Sequence, residues 1–205
     1  MKRRISILLA AVMLLCMISG CGNKFDPDEN AVYIKKDGSV IAYSVEEFNE
    51  SYYDEVELTD YINEQIDTFT AENEGEIKLQ KFSVDEEGYA RMVIKYDSVE
   101  TYSSFNGVVL YAGSVASAIA EGYDFDIDFS AIDNGESADA SSASGDTSGD
   151  SVKDMLDSNC VITGEDILVK VAGSVSYVSA TGSKAVAKDQ VRASSESGLT
   201  YIIYN

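Results

Sequence analysis

AVYIKKDGSVIAYS, residues 31–44, sets two runs of β-branched and aromatic residues on either side of Asp37-Gly38. Val, Ile and Tyr suit a pleated, half-buried surface, and Asp-Gly accepts the positive φ angles of a tight hairpin. Two antiparallel strands, 31–36 and 39–44, are therefore expected, and an antiparallel sheet is the seed of the fold.

Outward from that hairpin the same logic repeats. In IKLQKFSVDEEGYARMVIKY, residues 77–96, the runs 77–84 and 89–96 flank Asp85-Glu86-Glu87-Gly88, and Ala90, Met92, Ile94 and Tyr96 alternate with Arg91, Val93 and Lys95. A period of two marks a second hairpin with one buried face. Between the hairpins, Asp54 with Glu57 three residues on resembles a capping box. Leu58, Tyr61, Ile62, Gln65, Ile66 and Phe69 then keep helical spacing towards a stop at Gly75, with Asp60, Glu64 and Asp67 on the wet side. Asp97 and Glu100 repeat the cap spacing ahead of a short helix that ends near Asn106-Gly107. A buried strand is expected over 108–111, and Ser114 caps a small helix stopped by Gly122.

From 133 to 151 no residue is a larger apolar type than Ala, so nothing offsets the entropy of ordering and a disordered linker is expected. Past it, 160–163, 167–171, 175–179, 185–192 and 199–204 read as short strands. The expected fold class is α+β: a mainly antiparallel sheet, one longer and two short helices, and a β-rich C-terminal third. Residues 31–132 form the α+β domain, and 152–205 either complete its sheet or make a small subdomain.

The chain begins with Lys2, Arg3 and Arg4, followed by an apolar run of 14 residues, 5–18, interrupted only by Ser6. A spanning helix needs about 20 apolar residues, so the run matches an export signal and not a permanent span. It ends in Ile18-Ser19-Gly20-Cys21, which resembles the bacterial lipobox, in which the cysteine receives a diacylglycerol thioether and becomes the mature N-terminus. Residues 1–20 are then a signal peptide, Cys21 the lipidation site and 21–30 a polar tether. The expected location is the outer face of the cytoplasmic membrane, with the bilayer as a partner through the lipid on Cys21.

The 205 residues include 36 acidic and 15 basic side chains, and three of the basic ones lie in the signal. The remainder sets 12 basic against 36 acidic residues, a surface that repels phosphate backbones and anionic headgroups, so nucleic-acid binding is not expected. With Cys21 lipidated and the signal removed, Cys160 is the one thiol left; in the strand-like Asn159-Cys160-Val161 it reads as a small buried hydrophobe.

The chain has no histidine, which removes Ser-His-Asp and Cys-His arrangements and the commonest general base at neutral pH. No phosphate-cradling glycine loop is present, and no cofactor is expected. Carboxylate chemistry remains, as in glycoside hydrolases that set two acids across a scissile bond. Asp124, Asp126 and Asp128 alternate on a β-like run and offer hard oxygen ligands for Ca²⁺, although Phe129 and Gly135 stand where an EF-hand needs its glycine and terminal Glu. The competing reading is a solvated strand face beside Tyr123, Phe125, Ile127 and Phe129. Thirteen tyrosines invite a sugar- or peptide-binding reading, with Tyr52 and Tyr53 as the pair to inspect, against their ordinary use in half-buried strands.

The segments YYDEVELTDYI (52–62), IKYDSVETYSSFNGVVLYAGSV (94–115), SVSYVS (174–179) and YIIY (201–204) together resemble a family of uncharacterised lipoproteins of Gram-positive gut bacteria. That resemblance implies the anchor and the layout and supplies no catalytic residue, the family having no assigned activity. The expected function is a non-enzymatic, membrane-anchored binding or envelope-structural module with a glycan or protein partner. The alternative is a carboxylate-dependent glycoside hydrolase acting on cell-wall or dietary glycans.

Overall fold

Around Asp37-Gly38 the chain turns back on itself as its residues require. β1 (Ala31–Ile34) and β2 (Val40–Glu47) run antiparallel, Ile34 opposite Val40. Gly38 takes φ +82°, and the Asp37 carboxylate accepts from the Ser39 backbone N–H and hydroxyl at 3.1 and 2.6 Å. These elements belong to a computed structural model that describes residues 25–50, 53–132, 146–147, 152 and 155–205. Cys21, Tyr52 and all of the expected linker 133–151 except Asp146–Thr147 lie outside the described residues.

α1 (Glu55–Glu72) starts on Asp54, whose carboxylate accepts from the N–H groups of Val56 and Glu57 at 2.8 and 3.0 Å. It ends at Asn73, ahead of the expected stop at Gly75, because the backbone and side-chain N–H groups of Asn73 both close on the Phe69 carbonyl. β3 (Ile77–Val84) and β4 (Tyr89–Tyr96) form the second hairpin, held at its turn by Asp85, which accepts from Glu87, Tyr89 and Arg91. α2 (Val99–Asn106) is capped by Ser98 and not by Asp97, and leaves through the left-handed Gly107. β5 (Leu110–Ser114) begins two residues later than the expected 108–111. The N–H of Val108 returns to the Ser103 carbonyl and the Ser103 hydroxyl bonds to Leu110, so 108–109 are used up in leaving the helix.

α3 (Val115–Ala120) starts on Ser114 as expected, and β6 (Phe129–Ala131) and β7 (Asp146–Thr147) follow. Next come β8 (Asn159–Thr163), β9 (Ile167–Val171), β10 (Val175–Ser179), β11 (Ser183–Ala187), β12 (Gln190–Ala193) and β13 (Thr200–Tyr204). The single strand expected over 185–192 is a hairpin instead. Lys188-Asp189 turn the chain, held by the N–H of Val175 on the Lys188 carbonyl and the N–H of Val171 on that of Asp189.

The architecture is α+β with two sheets. The seven-stranded sheet runs β11-β12-β9-β1-β2-β4-β3, antiparallel except for the parallel pair β1–β9, and the six-stranded sheet runs β5-β8-β13-β10-β6-β7. The C-terminal strands enter both sheets, β9, β11 and β12 the first, β8, β10 and β13 the second, so they complete the fold.

Parity explains the packing. In β8 and β13, Val161 and Ile202 join a core shared with Val32, Ile94, Val169 and Val191 of the larger sheet, while Cys160, Ile162, Tyr201 and Ile203 join a second core under α3 with Phe125 and Phe129. Strands buried on both faces read as continuous apolar runs, as NCVIT and TYIIY do. α1 covers the rest of the inner face of the seven-stranded sheet, with Ile62 and Ile66 buried and Leu58 and Phe69 against them. Among the described residues no helix is long and apolar enough to cross a membrane.

Candidate functional site

The inner face of the seven-stranded sheet is covered by two different things, α1 at one end and the smaller sheet at the other. Where they meet, a cavity of about 330 Å³ remains. Ala42, Met92, Ile94 and Tyr96 from β2 and β4 line it, as do Ile62 and Gln65 from α1. α2 adds Tyr102, Phe105 and Asn106, and the β8–β9 loop adds Glu165 and Asp166. Tyr61, 58% exposed, stands at the rim.

Helical spacing puts Tyr102, Phe105 and Asn106 on one side of α2, and each is tied down. Tyr102 meets Tyr96 edge-on at 5.1 Å, and Phe105 meets Phe69 edge-on at 5.3 Å. The Asn106 side-chain amide donates to the Tyr102 carbonyl at 2.8 Å and to the Tyr96 hydroxyl at 3.3 Å. Packing and hydrogen bonds thus fix the positions of the aromatic walls.

Glu165 sits in a loop pinned on both sides. The N–H of Gly164 donates to the Val109 carbonyl, and that of Glu165 to the Thr163 hydroxyl. Asp166 accepts from the backbone N–H of Ser195 on one oxygen and from its hydroxyl on the other, at 2.9 and 2.5 Å. Those contacts, the hydroxyl first, hold the Asp166 carboxyl below its usual range.

Glu165 itself is half-buried, and among the described residues its one side-chain partner is the Tyr102 hydroxyl, 3.1 and 3.3 Å from its two oxygens. Burial pushes its carboxyl up, with the Tyr102 hydrogen bond acting the other way. Burial, and then the Glu165 charge, push the Tyr102 phenol far above the ordinary value. The described lining residues include two carboxylates and no lysine or arginine.

The residues singled out from the sequence fall elsewhere. Tyr53 is 43% exposed, with its ring stacked on Phe48 at 4.8 Å, and it does not line the cavity. Asp124, Asp126 and Asp128 are exposed on an extended segment that enters the ladder only at Phe129, while Phe125 and Phe129 turn into the core. The Asp124 carboxylate accepts the Asp126 N–H at 2.8 Å, and among the described residues no three acidic or cysteine side chains gather as a metal site. Exposed carboxylates on an extended chain with an Asx turn match the solvated-face reading of this segment, and the calcium reading gains no support from their placement. Cys160 is fully buried, and burial followed by the Glu121 charge pushes its thiol up to about 12, which leaves it unreactive at neutral pH.

Tyr102 and Glu165 were not legible as a pair, being 63 residues apart. The one local signal is Gly164-Glu165-Asp166 between two apolar strands, a position where two acids need a reason. No protein-family model, curated protein or solved structure matches the chain.

Proposed function

We propose that this protein is a lipid-anchored binding module on the outer face of the cytoplasmic membrane, without turnover, which holds a small organic cation in the cavity beneath Tyr102 and Glu165. The observation that carries the reading is Glu165, a half-buried carboxylate with one hydrogen-bond donor among the described residues, in an aromatic-lined cavity whose described lining holds no basic side chain. An ammonium group supplies the donors that this carboxylate lacks, and charge-assisted hydrogen bonds are about twice as strong as neutral ones. Ring faces of Tyr and Phe attract cations as well. The volume is at the small end of ligand sites, which run from roughly 300 to 1,000 Å³.

The disposition of the acids supports binding over hydrolysis. Glycoside hydrolases set two carboxyl groups about 5 to 10 Å apart across the substrate, and both must be free to exchange protons or attack. Asp166 follows Glu165 directly in the chain, and Ser195 occupies both of its oxygens. The anchor rests on the basic start, the short apolar run and the tetrapeptide ending in Cys21.

Calorimetric titration of the 22–205 fragment with phenethylammonium and with 2-phenylethanol, its neutral counterpart, tests the site. The cation is expected to bind at least about tenfold tighter, equivalent to ~1.4 kcal/mol, and Glu165→Gln to erase the preference. Equal affinity for the two compounds would remove the cation, and catalytic product release from an envelope or dietary polysaccharide would remove the non-enzymatic reading. Replacing Cys21 with Ala should move the full chain from the membrane to the soluble fraction, and persistent acyl labelling of that variant would end the anchor.

A further inference from the structure

The net charge of −21 conceals a sidedness. Ten basic residues are described, and all ten lie in the seven-stranded sheet or in its β1–β2 and β11–β12 turns. Strand parity sends seven of them outward, because they alternate with inward core residues. Lys78 and Lys95 face each other across β3–β4 between Ile77, Leu79, Ile94 and Tyr96, and Lys184 faces Arg192 across β11–β12 beside Ala185 and Val191. The opposite side is the reverse: α1, packed on the inner face through Ile62 and Ile66, carries six acidic residues and no basic one.

The chain just after Cys21 docks on this same outer face. The Phe25 ring meets Tyr43 edge-on at 5.2 Å and lies 5.3 Å from the Lys170 ammonium. Arg91 donates to the Pro27 carbonyl and pairs with Asp28 at 3.4 Å, and Arg192 pairs with Glu29. The tether expected over 21–30 is therefore bound to the sheet from Phe25 onward. Three residues lie between Cys21 and Phe25, and the four backbone steps reach at most about 14 Å.

We propose that the outer face of the seven-stranded sheet lies against the anionic phospholipid surface of the membrane that holds the lipid on Cys21. This inference rests on the lipidation of Cys21 and not on the cavity. The short tether leaves no room for the domain to turn its far side to the bilayer, and Lys78, Lys81 and Lys95 stand on the outward face of β3 and β4, the face whose arginines hold the tether. Attraction to anionic headgroups decays within about 8 Å at physiological salt, so only a closely held face gains from it. The α1 carboxylates stay on the distal side, away from the headgroups.

Covalent footprinting of the full chain tests this. Acylation of lysines and carbodiimide labelling of carboxyls are read by mass spectrometry on the lipidated chain in phosphatidylglycerol vesicles and on the soluble Cys21→Ala chain. Labelling of Lys78, Lys81 and Lys95 should fall several-fold on the vesicles while that of Asp60 and Glu64 stays constant, and phosphatidylcholine vesicles should give weaker protection. Unchanged lysine labelling on a chain that floats with the vesicles, or protection of α1 instead, would overturn the orientation and leave the anchor standing. A wild-type chain that takes no acyl label would overturn the anchor and the inference together.

Discussion

Glu165 shows how one buried group links folding to binding. Its carboxyl is raised above the ordinary 4.5, chiefly by burial, so the folded chain keeps a proton at a pH where the unfolded chain has released it. Its contribution to stability is therefore whole in acid and declines as pH rises through the unfolded and then the folded value. Glu165→Gln removes that loss. The melting temperature should rise by roughly 2 °C at pH 7 and stay unchanged near pH 4, measured by circular dichroism at both values. A fall at pH 7 would mean that the carboxylate stabilises the loop. The same burial that costs stability here leaves a charge ready for a cationic ligand.

At the scale of elements, short local bonds decide where each helix starts and stops. Asp54 satisfies two of the orphan N–H groups of α1, and Asp54→Ala should cost about 1 kcal/mol by urea denaturation, with little change in the slope. Gly75 looks like the stop, yet Asn73 reaches the Phe69 carbonyl first, and Gly75 serves to let the Thr101 side chain approach at a backbone φ of +122°. Ser98 displaces Asp97 as the cap of α2 by bonding the Thr101 N–H at 3.1 Å. The 185–192 run shows the limit of composition, because Lys188-Asp189 lacks an obvious turn signal and bends to meet the backbone of Val171 and Val175.

Over the whole molecule, the two sheets share one core through residues such as Val161 and Ile202, both fully buried. Ile202→Ala should cost roughly 2 to 5 kcal/mol, by lost burial and a residual cavity. Because that core also holds Ile62 of α1 and Ile94 of β4, the chain should still unfold in a single transition. Separate transitions for helix and strand signals in a thermal melt would show that the layers fold independently. The parallel pairing of β1 with β9 ties the first strand to the C-terminal third and supports the single transition.

The sequence by itself determined the hairpins at 31–44 and 77–96, the three helices, the α+β class and the continuous apolar strands of the C-terminal third. Those features rest on periodicity and turn chemistry acting over a few residues. Only the tertiary structure decided that the C-terminal strands divide between two sheets, that Tyr102 meets Glu165, and that the described basic residues gather in one sheet. Strand order is set by which faces bury each other, and similar apolar runs compete for the same neighbours until the whole core closes. The tyrosines illustrate the point. Tyr33, Tyr43 and Tyr96 look alike in local pattern, yet parity and pairing pack the Tyr96 ring against Tyr102 in the cavity wall and send the rings of Tyr33 and Tyr43 to Phe25 on the outer face.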